Sequence, residues 1–174
     1  MSAVAAHHDR GPARIPTRRL TTAVILHHSE GPPIQSVEET RAFHTRPVAQ
    51  GGRGWSDIAY HWLIDGQGGR HAGRAEHLVG SHCLGWSDRS IGVCALGDFD
   101  RHPMPTVQLA AVTELVAELL ERYPGCQILG HREAMQRAGL EPGDRTCPGG
   151  GGLWVIHVRS AMPGPSGDEL YKPV

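Results

Sequence analysis

The chain has 174 residues, 39 % of them hydrophobic and 20 % charged, with a formal net charge of −1. That composition fits one ordinary globular domain with length enough for a buried core. It excludes the strongly basic surface that nucleic-acid or anionic-membrane binding requires. Four cysteines are too few for the disulfide framework of a small secreted scaffold, and no apolar stretch reaches membrane-spanning length. The expectation is a monomer that neither binds nucleic acid nor inserts into a membrane.

Met1 to Arg19 carries His7, His8, Asp9 and Arg10 and lacks the apolar core of a signal peptide. Synthesis in the cytoplasm is therefore expected, with any export by another route. Residues 1–20 and 161–174 are rich in Pro, Gly, Ala and charge and read as flexible ends around a single domain over 21–160.

Within the domain the unbroken apolar run from Ala23 to His27 predicts a buried strand. Ser36-Val37-Glu38-Glu39 has the capping-box pattern that opens a helix, here running towards His44. Gly51–Gly54 reads as a loop and Ile58–Ile64 as a second strand, ended by Asp65-Gly66-Gln67-Gly68-Gly69. Ile91–Leu96 is a third strand, and Cys94 within it reads as a core thiol. A Cys83–Cys94 disulfide is compatible with the sequence, but nothing requires one, and Cys126 is assigned no role.

Thr106 reads as the cap of the clearest helix, where Leu109, Val112, Leu115, Val116, Leu119 and Leu120 recur at helical spacing until Pro124-Gly125. Gln127–Leu129 follows as a short strand leading to His131. A last helix runs from Leu153 to about Arg159. This irregular alternation predicts an α/β fold, a single domain with a mixed central β-sheet flanked by helices on both faces.

Three residues stand out chemically: His27 at a strand end, His131 in Gly130-His131-Arg132-Glu133, and Cys147 in Thr146-Cys147-Pro148-Gly149. Two imidazoles and a thiolate leave one tetrahedral position open, as in a catalytic rather than a structural zinc site. Each has an ordinary reading when taken singly: a hydrogen-bonded strand-end histidine, a helix-capping histidine, a half-buried thiol. Ligand sites in α/β folds gather where strands end, which favours convergence of the three. Strand alternation sends His27 and His28 to opposite faces, so only one of them can reach a given site.

The ordered series Ile25-Leu26-His27-His28-Ser29, Gly54-Trp55-Ser56-Asp57-Ile58-Ala59-Tyr60-His61, Gly80-Ser81-His82, Ser90-Ile91-Gly92-Val93-Cys94, Gly97-Asp98-Phe99, Gly130-His131-Arg132-Glu133 and Cys147-Pro148-Gly149 resembles the zinc-dependent N-acetylmuramoyl-L-alanine amidases. That family includes phage lysozyme-amidases and animal peptidoglycan recognition proteins, and the likeness spans about residues 20–160. It implies an amidase domain fold, a Zn2+ cofactor held by His27, His131 and Cys147, and a peptidoglycan or muropeptide substrate.

The resemblance also makes Tyr60 a hydrogen-bond donor or proton-handling group beside the metal, although Ala59 stands where the family has glycine. Arg145 takes the place of an assisting lysine; it can stabilise an oxyanion but hardly give up a proton. His82 matches a histidine near the substrate groove, with a plain loop role equally open. Trp55 and Trp86 read as core or loop anchors. Cys147 and Cys94 separate the chain from the muropeptide-recycling branch, which has aspartate and glutamate at those places.

The implied activity is that of a phage-type endolysin or bacterial wall-lytic enzyme acting after release or non-classical export. The alternatives are a peptidoglycan-binding module without turnover and a regulatory partner of a polymerase, for which no surface is legible.

Overall fold

The computed structural model describes residues 14–32 and 34–162. Five strands form one sheet in the order β3-β2-β4-β1-β5. They are β1 (Ala23–His28), β2 (Trp62–Ile64), β3 (Arg70–Ala72), β4 (Ser90–Ala95) and β5 (Gln127–Gly130). β1 pairs in parallel with both β4 and β5, β2 pairs in parallel with β4, and β3 runs antiparallel to β2. Every residue of β1 and β4 is buried, which explains their unbroken apolar runs: both faces of the sheet centre are covered.

The covers are helices α1 (Val37–Thr45), α2 (Thr106–Arg122), α3 (His131–Arg137) and α4 (Leu153–Ser160). On one face Val24, Leu26, Ile91, Val93 and Ala95 pack against Val112, Leu115, Val116 and Leu119 of α2 and Trp154, Val155 and Val158 of α4. On the other face Ala23, Ile25 and Leu129 meet Ala134 and Met135 of α3. There too, Leu63 and Cys94 meet Val37 of α1. The mixed sheet with helices on both faces is thus as the sequence predicts. Strand alternation places His27 on the α1/α3 face and His28 on the α2/α4 face.

Ser36 closes a full capping box with Glu39 at the start of α1. Thr106, expected as a cap, is instead the first residue of α2; Pro105 holds the cap position, where its fixed φ suits the helix entry. Gln108 is buried beneath the strand ends and donates to the carbonyls of Ile64 and Leu96. Cys83 and Cys94 are free thiols in separate packing clusters, so they form no disulfide.

The strand expected over Ile58–Ile64 is confined to Trp62–Ile64, because other partners take the earlier backbone groups. The buried Arg74 side chain donates to the carbonyls of Asp57 and Ile58, and its backbone N–H donates to Tyr60. Ser81 N–H donates to Ala59 O, and Ala59 N–H donates to His44 Nδ1 at 3.2 Å.

Part of the segment expected as a flexible N-terminal end is built into the domain. Thr17 bridges to Leu78, and Arg18 is buried with its guanidinium donating to Ser90 O. Residues 1–13 and 163–174, the rest of the expected flexible ends, lie outside the described residues. No helix among the described residues is long and apolar enough to cross a membrane.

Candidate metal centre

β1 delivers His27 fully buried at its C-terminal end, on the α1/α3 face of the sheet. β5 ends at Gly130, and His131 is the first residue of α3, where Glu133 accepts from the Gly130 N–H at 3.4 Å and fixes the helix start. Cys147 lies in the loop before α4. Its carbonyl accepts from Arg132 N–H at 3.1 Å, which ties this loop to the start of the helix bearing His131. Gly130 carries no Cβ that would press within 3.2 Å of the Pro148 ring. The strand end, the helix start and the loop therefore converge through backbone contacts as well as side chains.

The donor atoms of His27, His131 and Cys147 all lie within 4.8 Å of one another. His27 Nδ1 is 3.6 Å from Cys147 Sγ, and the His27 and His131 rings are 4.7 Å apart. Burial, with neighbouring His131 and His82, holds His27 well below the usual histidine range. Burial and the positive charge of Arg145 bring His131 down to about 4. Both rings are thus neutral near pH 7 and keep a lone pair. Burial pushes the Cys147 thiol up, so only a nearby cation makes its thiolate favourable. Two neutral imidazoles and a sulfur that gains from a cation form a donor set that fits zinc.

The Tyr60 ring packs 5.2 Å from His27 and 5.6 Å from His44. Burial, with the Cys94 and Cys147 thiols beside it, holds its hydroxyl well above the usual range. Arg145 is exposed at the rim, with its guanidinium donating to Pro142 O at 3.3 Å.

His82 does not line an exposed groove. It is buried beneath His27, with Nδ1 3.0 Å from His27 Nε2 and Nε2 3.4 Å from Ser90 Oγ. Sequence reasoning missed Ser90 and Gly92 as parts of this underside. The available signal was a glycine in the middle of an otherwise apolar buried strand, which marks a close approach.

On the opposite face His28, Asp98 and Asp100 also bring metal-type donors together. There His28 Nδ1 accepts from Phe99 N–H at 3.2 Å, which places the ring proton on Nε2. Nε2 then faces Glu30 at 3.5 Å and Asp100 at 4.0 Å as a donor, with no lone pair for an ion. Asp100 also accepts from Thr146 Oγ1 and, at 3.1 Å, from Gly150 N–H, so this acidic group braces the Cys147 loop.

The sequence profile of the N-acetylmuramoyl-L-alanine amidases matches residues 17–150. The chain belongs to this amidase family. It is 35 % identical over 129 residues to the endolysin of Escherichia phage T7, a match covering 70 % of this chain and 81 % of that one. Among solved structures, the Ph2119 endolysin from a Thermus scotoductus bacteriophage superposes with a TM-score of 0.67 at 28 % identity, covering 83 % of this chain and 88 % of that one. Drosophila PGRP-LB superposes with a TM-score of 0.68 at 28 % identity, covering 88 % of each chain. A mutant of that protein has been solved in complex with tracheal cytotoxin; it is 27 % identical, with a TM-score of 0.67 and 89 % of each chain covered.

Proposed function

We propose that this amidase-family chain is a zinc-dependent peptidoglycan hydrolase of the endolysin or bacterial wall-lytic kind. It cuts the amide between the lactyl group of N-acetylmuramic acid and L-alanine of the stem peptide. The observation that carries the reading is the convergence of the His27, His131 and Cys147 donors within 4.8 Å, inside an amidase-family domain. Those three residues would hold the ion. Zinc supplies Lewis-acid polarisation of the scissile carbonyl and brings the pKa of a water to about 7.

The remaining chemistry belongs to the chain. Burial keeps His27 and His131 unprotonated, so no proton competes for their lone pairs at neutral pH. Tyr60, with its hydroxyl held protonated, serves as a hydrogen-bond donor to the oxyanion that develops on the carbonyl and not as a general base. Arg145 adds a permanent positive charge from the rim and transfers no proton. The PGRP-LB relative in complex with tracheal cytotoxin supports a peptidoglycan-type ligand.

The recognition-protein relatives also favour a second reading, a peptidoglycan-binding module without turnover. Mass spectrometry of purified cell walls after incubation with the protein separates the two. Free stem peptides beginning at L-alanine, with matching muramic acid carboxyls, are the expected products. Co-sedimentation with walls and no released peptide supports the binding module instead.

A further inference from the structure

We propose that His82 is a positioning residue that holds His27 in the one tautomer able to present Nδ1 to the metal. The inference rests on the reading of His27, His131 and Cys147 as metal ligands. A neutral imidazole carries one proton, on either Nδ1 or Nε2. Because His27 Nδ1 faces Cys147 and Nε2 faces His82, the ring is competent only when the proton sits on Nε2.

The proton positions follow from a chain of hydrogen bonds that ends on a backbone carbonyl. Ser90 Oγ donates to Trp86 O at 2.7 Å, which uses the only proton of the hydroxyl. Towards His82 Nε2, 3.4 Å away, Ser90 Oγ can then only accept, so Nε2 of His82 is protonated. His82 Nδ1 is left with a lone pair and accepts from His27 Nε2–H at 3.0 Å. His27 Nδ1 is thereby left with its lone pair turned towards Cys147. The direction of the whole chain is set by Trp86 O, which can only accept.

The fold makes room for this ring at two glycines. A Cβ on Gly92, in the middle of β4, would lie 2.5 Å from His82 Cγ, and one on Gly80 would lie 2.5 Å from His82 Cδ2. Glycine within a buried strand weakens it, so a close approach of this kind gives the residue a reason to be there. Neighbouring His61 does not compete for His82. Its Nδ1 accepts from Gly92 N–H at 2.9 Å, and its Nε2 donates to Leu78 O at 3.0 Å. With both nitrogens engaged inside the protein, His82 acts on the reaction only through His27.

The test is zinc affinity by chelator competition at pH 7 for the wild type, His82→Leu and His82→Asn. Partners behind a metal ligand typically contribute roughly 10–100-fold in affinity. His82→Leu is expected to lose that factor, whereas His82→Asn, whose Oδ1 can accept at the place of Nδ1, keeps affinity within a few-fold of wild type. Wild-type affinity in His82→Leu overturns the inference while leaving the metal centre intact. Equal loss in both variants also overturns it, by reducing His82 to packing. A wild-type protein that binds no zinc instead overturns the metal-centre reading on which the inference rests.

Histidine 15N chemical shifts of the metal-free wild type test the proton positions without any variant. Nε2–H tautomers at both His27 and His82 are expected, and an Nδ1–H tautomer at either overturns the proposal.

Discussion

Tyr60 and Cys147 touch the same site but fail differently when altered. Tyr60→Phe removes one oxyanion donor and leaves the donor triad intact. It is expected to lower kcat by roughly 100-fold while zinc content, read by atomic emission, stays at the wild-type level. Loss of zinc from this variant would move Tyr60 from the reaction to the ligand shell. At this scale the sequence was informative about the donors, because His27 and His131 sit where strands end. It offered His82 as a groove or loop residue and did not foresee its place behind His27. Only the hydrogen bond to His27 reveals its place, since which nitrogen faces which partner depends on tertiary packing.

Elements with strong local signals formed as expected, and those with weak ones were missed. The α1 capping box and the apolar stripe of α2 follow directly from residue order. β3, Arg70–Ala72, is three polar or small residues on a sheet edge and has no alternation to detect. α3 buries only Ala134 and Met135, too few for a helical period, although Glu133 three residues after Gly130 marks its start. Ile58–Tyr60 has strand-like composition, yet its backbone groups are taken by Arg74, Ser81 and His44, partners distant in sequence. Chemical denaturation can weigh two of these elements. Leu115→Ala, deep between α2 and the sheet, is expected to cost about 2–5 kcal/mol, and Ser36→Ala about 1 kcal/mol from the lost cap. Equal costs would contradict the placement of the main core under α2.

The molecule as a whole carries a pH dependence to which buried histidines outside the triad add their own share. Burial, reinforced by Arg53 and Arg74, brings His44 down to about 4. Burial brings His61 to about 4 as well, outweighing its hydrogen bond to the Leu78 carbonyl. Both are neutral in the folded protein at a pH where the unfolded chain is already protonated. Between the ordinary histidine value of about 6.5 and 4, the unfolded state therefore binds more protons. Stability is fully present above that window and falls as pH drops through it, by up to about 3 kcal/mol per group. Denaturation midpoints measured from pH 7.5 to 4.5 should show the decline. His44→Asn, whose amide oxygen can still accept from Ala59 N–H, should make it shallower by one group. An unchanged slope would show that His44 titrates normally.

The whole fold brings a strand end, a helix start and a loop to one metal-type donor set, and the central claim is that this set holds the zinc on which hydrolysis depends. The most direct test measures bound zinc and release of L-alanine-terminated stem peptides together, in the wild type and Cys147→Ser, before and after exhaustive chelation. The expected result is about one zinc per chain with peptide release in the wild type. Both are lost on chelation and restored by added zinc, and both are absent from Cys147→Ser. Full peptide release by the chelated, metal-free protein would contradict the account.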